Sequence, residues 1–321
     1  MIVLGVETSC DETAVAIVKD GREVIASVVY SQIDIHKKYG GVVPEVASRK
    51  HVQKVIVVFE QCLEQAHMTP QDIDLVAVTT HPGLIGSLLV GINAAYAFSY
   101  ANNIKCIGIN HLTGHIYANY VESDFEFPTL ALVVSGGHTE LVLMKKHYDF
   151  QVLGQTLDDA VGESYDKVGR VMGFKYPAGK PVDEAAHLGS PVYKLPIYDD
   201  MSDYNFSFSG VKSSVLNFIN KCHMKGEDYA VNDLAASFQK SISDVLTKKT
   251  IKAVKEYKIK QVIVAGGVAA NKGLREKMTK AIGEMPGVKL TFPKFEYCTD
   301  NAVMIASSGY FKEICEMNKE K

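Results

Sequence analysis

The sequence predicts an α/β protein of two lobes that repeat one organisation, and three observations carry that expectation. The 321 residues are 47% hydrophobic, enough for two cores where single domains run to roughly 100–200 residues. A three-strand meander opens the chain, and a second opens near residue 130. Each meander is followed by apolar strands that alternate with long stretches of helical periodicity.

In chain order, residues 2–8 (IVLGVET) read as a buried strand, 12–19 (ETAVAIVK) as its hairpin partner, and 24–29 as a third strand after the Asp20-Gly21 turn. A helical pattern covers 46–66, a strand 75–79, a helix the uncharged stretch from 84, and a strand 105–109. After a linker at 124–128 the grammar restarts with strands at 130–135, 139–146 and 150–156. Helical patterns at 158–172, 209–222 and 230–257 follow, then strand 261–267, a helix from Asn271, strand 289–293 and a last helix from Asn301.

Net charge is −3 and the pI about 6.4, so the chain lacks the basic footprint that grips nucleic acid unaided. The lysines at 248, 249, 252, 255, 258 and 260 form one stripe, read as the solvated face of a helix. Six cysteines show no C-x-x-C pair, as expected of reduced thiols in the cytoplasm. The start meets charge too early for a signal peptide. Residues 84–101 mimic a membrane span in length, but Gly86, Ser87, Gly91, Asn93 and Ser99 and the α/β surroundings point to a buried or partner-covered helix and no membrane.

The chemistry gathers at GINHLTGHIYANY, residues 108–120. His111 and His115 stand four apart, so on a helix their Cβ atoms lie ~5–6 Å apart on one face, close enough to share a metal ion. They serve equally well as ordinary helix residues satisfied by neighbouring carbonyls. A zinc peptidase would need Glu after the first histidine, and this chain has Leu112 and Thr113.

Three turns complete the picture. The first hairpin turn, residues 8–13 (TSCDET), carries Asp11 and Glu12; the second, SGGHT at 135–139, places Gly136 and Gly137 where amides can approach a phosphate. The third, AGGVAAN at 265–271, joins a buried strand to a helix start, a position that favours anions and nucleotides. Two hairpins and a Gly-Gly loop in duplicated lobes resemble the actin-like ATPase (ASKHA, ribonuclease H-like) fold, with two lobes around a central cleft. The expected division is an N-terminal lobe over 1–110, a C-terminal lobe over 111–300, and a terminal helix at 301–321 that returns to the first lobe.

Seven ordered blocks, ETSCDETAVAI (7–17), PGLIGSLLVG (82–91), NHLTGH (110–115), VVSGGHTELV (133–142), FSFSGVKS (206–213), VAGGVAANKGLR (264–275) and CTDNAVMIA (298–306), closely resemble the bacterial TsaD family of tRNA N6-adenosine threonylcarbamoyltransferases. The resemblance implies transfer of threonylcarbamoyl from threonylcarbamoyl-AMP to N6 of the adenosine beside the anticodon in tRNAs reading ANN codons. It implies one divalent metal, iron(II) or zinc, on His111, His115 and Asp300, although Asp300 also stands where an N-cap would. It implies substrate contacts at Val134, Ser135, Gly136, Gly137, His138, Asp166, Gly179, Asp183 and Asn271. It also implies a TsaB-like paralogous subunit and a TsaE-like ATPase as partners. Asp11 or Glu12 is placed to accept the amine proton, or else to hydrogen-bond the turn.

The chain departs from the family pattern at Ala178, where a second glycine is usual, and at His81, ahead of Pro82-Gly83. Competing readings each predict something different. A MgATP phosphotransferase predicts oxygen ligands and no imidazole pair, a metallopeptidase predicts the absent glutamate, and an inert nucleotide-binding scaffold predicts indifference to loss of His111.

Overall fold

The computed structural model describes residues 1–319. The first unit runs β1 (Ile2–Glu7), β2 (Glu12–Lys19), β3 (Glu23–Ser31), the short α1 (Ile33–His36), α2 (Pro44–Ala66), β4 (Leu75–His81), α3 (Ile85–Asn102), β5 (Lys105–Asn110) and α4 (His111–Tyr117). The second runs β6 (Thr129–Val134), β7 (Thr139–Met144), β8 (Phe150–Gln155), α5 (Val161–Val171), α6 (Gly179–Leu188), α7 (Ser209–Lys225), α8 (Val231–Tyr257), β9 (Gln261–Ala265), α9 (Lys272–Gly283) and β10 (Lys289–Thr291). The chain then closes with α10 (Ala302–Met317).

The duplication is explicit in the sheets. One has the order β3-β2-β1-β4-β5 and the other β8-β7-β6-β9-β10. In each, an antiparallel meander is extended by two parallel strands, β1 on β4 on β5 and β6 on β9 on β10.

Alternation in β1 explains the layers of the first unit. Val3 joins Ala14, Ala16, Leu75 and Ala77 beneath α10, while Leu4 and Val6 join Val15, Ile17, Val76 and Val78 beneath Val55, Val58 and Phe59 of α2. Each fully buried side chain of this size stabilises by ~1.5–3 kcal/mol. Gly5 is obligatory: a Cβ there would sit 2.3 Å from the Ala302 carbonyl oxygen. Helix α10 therefore lies almost on the backbone of β1, and that closeness sets where the residue just ahead of the helix arrives.

Residues Met1–Phe125 pack with the segment from Pro293 onward, and Glu126–Phe292 pack separately. The boundary expected after residue 110 thus moves to 125/126, and the one expected after 300 moves to 292/293. The cause is that α4 leaves β5 without a linker and packs on α10, with Ile305 Cδ1 closing over Gly114. The lysine stripe also needs correction. Lys249 is fully buried and donates to the carbonyls of Asp200 and Asp203, Lys248 pairs with Asp199, and Lys252 donates to the Met201 carbonyl at 2.8 Å. Half of that face holds down the 199–203 segment. Among the described residues no helix is long and apolar enough to cross a membrane, α3 included.

Candidate metal centre and nucleotide-facing turns

Helix α4 starts at His111 because Asn110 is its N-cap: Oδ1 accepts the amides of Leu112 (2.8 Å) and Thr113 (3.2 Å). This puts both histidines in the first two turns, with ring centroids 4.6 Å apart and planes at 78°. Asp300 Oδ1 completes the group, 3.4 Å from His111 Nε2 and 3.3 Å from His115 Nε2. Its capping alternative is taken by its neighbour, since Asn301 Oδ1 accepts the Met304 amide at 3.0 Å. All three residues lie in the first unit.

Sequence reasoning passed over Glu7. Its carboxylate is fully buried; Oε1 accepts the Ser9 amide at 2.5 Å, and Oε2 accepts Thr79 Oγ1–H at 2.5 Å. Oε2 also lies 3.1 Å from His111 Nδ1, which stands 3.1 Å from Ser9 Oγ as well. A carboxylate behind Nδ1 fixes the ring and aims the Nε2 lone pair outward, as around metal-ligating histidines. The signal was an acid at the end of an otherwise apolar buried strand, IVLGVE.

Ligand atoms of His111, His115 and Asp300 fall within 4.8 Å of one another. His115 is buried, and neither of its ring nitrogens makes a hydrogen bond among the described residues. Burial pushes His111 down, but Asp300 and Glu7 outweigh it and hold the ring well above its ordinary value. Burial likewise raises Asp300 and Glu7, and His111 draws both below the usual carboxylate range. His115 is held below its ordinary value by burial. The cluster thus calls for positive charge between two carboxylates beside a neutral imidazole. Two imidazoles and one carboxylate fit a divalent ion of the iron or zinc type.

Beside the cluster, Glu12 accepts Ser31 Oγ–H at 2.9 Å. Burial, followed by the charges of Asp300 and Asp11, pushes Glu12 up to about 9. The charge of Asp300 is therefore felt at the first hairpin turn.

In the second unit the Gly136-Gly137 turn is exposed, pinned by Ser135 N–H to the His138 carbonyl (2.8 Å) and His138 N–H to Ser135 Oγ (3.1 Å). Val134 and the loop after β9 meet there, for a Cβ on Gly266 would lie 2.5 Å from the Val134 carbonyl oxygen. Both lie at the carboxyl ends of adjacent parallel strands, where open α/β sheets bind ligands. Asp166 on α5 accepts the Ala178 amide at 2.7 Å just ahead of Gly179, and burial lifts its carboxyl above the ordinary range. Ala178 sits at φ −93°, a helical value that alanine adopts freely.

Asp183 and Asn271 converge at the start of α9. Asp183 accepts the amides of Lys272 (3.0 Å) and Gly273 (3.2 Å). Asn271 Oδ1 caps the helix through Leu274 N–H (2.7 Å), and its Nδ2 donates to Gln239 Oε1 (2.8 Å) and Tyr165 OH (3.3 Å). Gln239 and Tyr165 were not singled out from sequence, being polar groups on apolar helical faces.

The fold and the His-His-Asp group define an actin-like α/β protein with a candidate transition-metal centre. It shares that fold with component A of Acidaminococcus fermentans (R)-2-hydroxyglutaryl-CoA dehydratase (TM-score 0.55, 18% identity, 98% of this chain and 99% of that one). It shares it also with full-length HypF in the phosphate- and nucleotide-bound form (TM-score 0.65, 12% identity, 98% of this chain and 46% of that one). The model of the family TsaD, tRNA N6-adenosine threonylcarbamoyltransferase, matches residues 23–307. The tRNA N6-adenosine threonylcarbamoyltransferase of Bacillus subtilis (strain 168) is 55% identical over 310 residues, 96% of this chain and 90% of that protein. That of Geobacillus kaustophilus (strain HTA426) is 53% identical over 308 residues, with 96% and 90% covered. The chain belongs to the TsaD family.

Proposed function

We propose that this enzyme transfers threonylcarbamoyl from threonylcarbamoyl-AMP to N6 of adenosine 37 in tRNAs that read ANN codons. The observation that carries the reading is the convergence of His111, His115 and Asp300, with Glu7 behind His111, in a chain of this family. In the transfer, the amine N6 attacks the carbamoyl carbon, the bond from that carbon to the AMP oxygen breaks, and N6 sheds one proton.

His111, His115 and Asp300 hold the divalent ion, iron(II) or zinc. When bound it supplies Lewis acidity for the acyl carbonyl. Glu7 keeps the His111 ring turned to present Nε2. The Gly136 and Gly137 amides, with Ser135 and His138 pinning their turn, take the phosphate as preorganised dipoles and stabilise departing AMP. Asp166, Gly179, Asp183 and Asn271 build the pocket for the rest of the donor, and the internal hydrogen bonds of Asp183 and Asn271 make these two shape the α9 start as much as touch ligand. Asp11 or Glu12, in its ionised form, receives the N6 proton.

With no basic footprint on the chain as a whole, tRNA is held together with partners in the cytoplasm. The outer faces of α2 and α3 enclose a groove of about 690 Å³ lined by Val52, Ile56, Phe59, Leu89, Val90 and Phe98, in which Val52, Ile56 and Leu89 are more than half exposed. We assign it to the TsaB-like subunit, with a TsaE-like ATPase acting on the pair. The deciding experiment supplies purified metal-loaded chain with threonylcarbamoyl-AMP, partners and tRNA and follows labelled threonine into tRNA. Equal incorporation by His111→Ala rules the reading out.

A further inference from the structure

Three consecutive carbonyls of the first hairpin turn each accept one donor, and each donor comes from a different element. Ser9 C=O takes the Leu84 amide at 2.7 Å, just ahead of α3. Cys10 C=O takes His51 Nε2, on α2, at 2.9 Å. Asp11 C=O takes the Gln32 amide, just after β3, at 3.1 Å. Two of these donors are backbone amides, whereas His51 is the one that a side chain supplies. Its ring is wholly buried.

The partners fix its tautomer. A carbonyl only accepts, and Cys10 C=O at 2.9 Å is nearer to Nε2 than Gln32 Nε2 at 3.5 Å, so Nε2 bears the hydrogen; Nδ1, 2.8 Å from Thr13 Oγ1, is then the acceptor of the threonine hydroxyl. A single imidazole thereby ties both ends of the Cys10–Asp11–Glu12–Thr13 segment to α2.

We infer that His51 is a positioning residue for the transfer reaction, holding in place the turn that carries the Asp11 and Glu12 carboxyls. This deepens the reading above and rests on its assignment of the proton to Asp11 or Glu12. The chemistry is specific: a donor at the distance of Nε2 is required, and bulk alone does not substitute. Glutamine carries its amide nitrogen about as far from the backbone as Nε2, while asparagine reaches only as far as Nδ1.

The test uses the full, metal-loaded chain with its partners and compares His51→Ala, His51→Gln and His51→Asn. His51→Ala is expected to lower kcat by about 10- to 100-fold, the scale of a misplaced catalytic group, with KM for threonylcarbamoyl-AMP and bound metal unchanged. His51→Gln recovers most of the rate and His51→Asn does not. Added to the Asp11→Asn/Glu12→Gln pair, His51→Ala causes no further loss beyond about twofold, because it acts through the groups already removed.

A wild-type kcat in His51→Ala, a loss that multiplies with that of the Asp11→Asn/Glu12→Gln pair, or equal rates in His51→Gln and His51→Asn overturns the inference. Should His51→Ala fail to fold, the glutamine and asparagine variants decide it by the same comparison. Asp11→Asn and Glu12→Gln alone separate the two ideas. If both keep the full rate, the proton assignment fails; if they slow the reaction while His51→Ala does not, only the role of His51 falls.

Discussion

Glu7 Oε2 stands 3.1 Å from His111 Nδ1, so the carboxylate that ends the first strand grips the imidazole that begins the fourth helix, 104 residues away. With Asp300 Oδ1 at 3.4 Å from Nε2, the His111 ring has an acid at each nitrogen. Glu7→Gln replaces the inner acid by a group of the same shape without charge. Metal affinity is expected to fall ~10- to 100-fold, as for other carboxylates behind ligating histidines, while the fold persists. Titration of iron(II) or zinc into the stripped variant checks this, and an unchanged affinity excludes the role.

Asp300 and its neighbour Asn301 do separate jobs, and substitution should part them. Asn301→Ala removes the cap of α10 and costs about 1 kcal/mol of stability with the metal retained. Asp300→Ala removes the proposed ligand and a buried charge facing two histidines, and loss of metal binding is the expected outcome. Metal analysis beside denaturant titration reads both. Loss of metal in Asn301→Ala alone would contradict the division.

Removing the ion should loosen the first unit. A ligand at 100 times its Kd adds about 2.7 kcal/mol to the folded state. Chelator treatment is therefore expected to lower Tm and abolish threonine incorporation, with iron(II) or zinc restoring both. Recovery with magnesium as complete as with zinc would point to a different donor set.

Asp158 caps a helix that lies 50 residues further along. Oδ1 accepts the amides of Phe208 (2.8 Å) and Ser209 (3.1 Å), and Oδ2 the hydroxyl of Ser209 at 2.8 Å. Burial raises this carboxyl, but the hydrogen bonds from Ser207, Phe208 and Ser209 outweigh it and hold it below its ordinary value. A depressed folded value means the contribution is present above the unfolded pKa of ~3.9 and is lost as pH falls through the folded one. Exposure limits it to about 1 kcal/mol. Hydrogen exchange of the α7 amides should be faster in Asp158→Asn at pH 7, and the gap should close in acid, below the ordinary carboxylate range. A gap that widens in acid reverses the sign.

The groove on α2 and α3 makes a prediction of its own. Ile56→Asp and Leu89→Asp place charge on exposed apolar positions and leave the cores beneath intact. Both are expected to abolish co-elution with the TsaB-like subunit on sizing without lowering Tm by more than a few degrees. Retained co-elution moves the interface elsewhere.

Much of this architecture was legible from the chain because its signals are local. Alternation over 2–8 and 12–19, the Asp20-Gly21 turn, the helix start at Asn271 and the i, i+4 spacing of His111 and His115 each depend on residues within one element. The repeated grammar of two meanders also lies open to inspection, and with it the duplicated fold.

Apart from Asp300, which the family resemblance set with the two histidines, the sequence left open the pairings across distance. Glu7 behind His111, Asp158 at the head of α7, His51 on the Cys10 carbonyl, and Gln239 on Asn271 join residues 32 to 104 positions apart. None has a periodicity to betray it. The unit boundary was misplaced for the same reason, since α4 and Asp300 belong to the first unit only through packing against α10. Local preference and hydrophobic spacing determined which elements form and that two histidines share a face. Tertiary burial decided which polar groups had to find partners there, because a buried carboxylate left unpaired costs more than the chain can absorb.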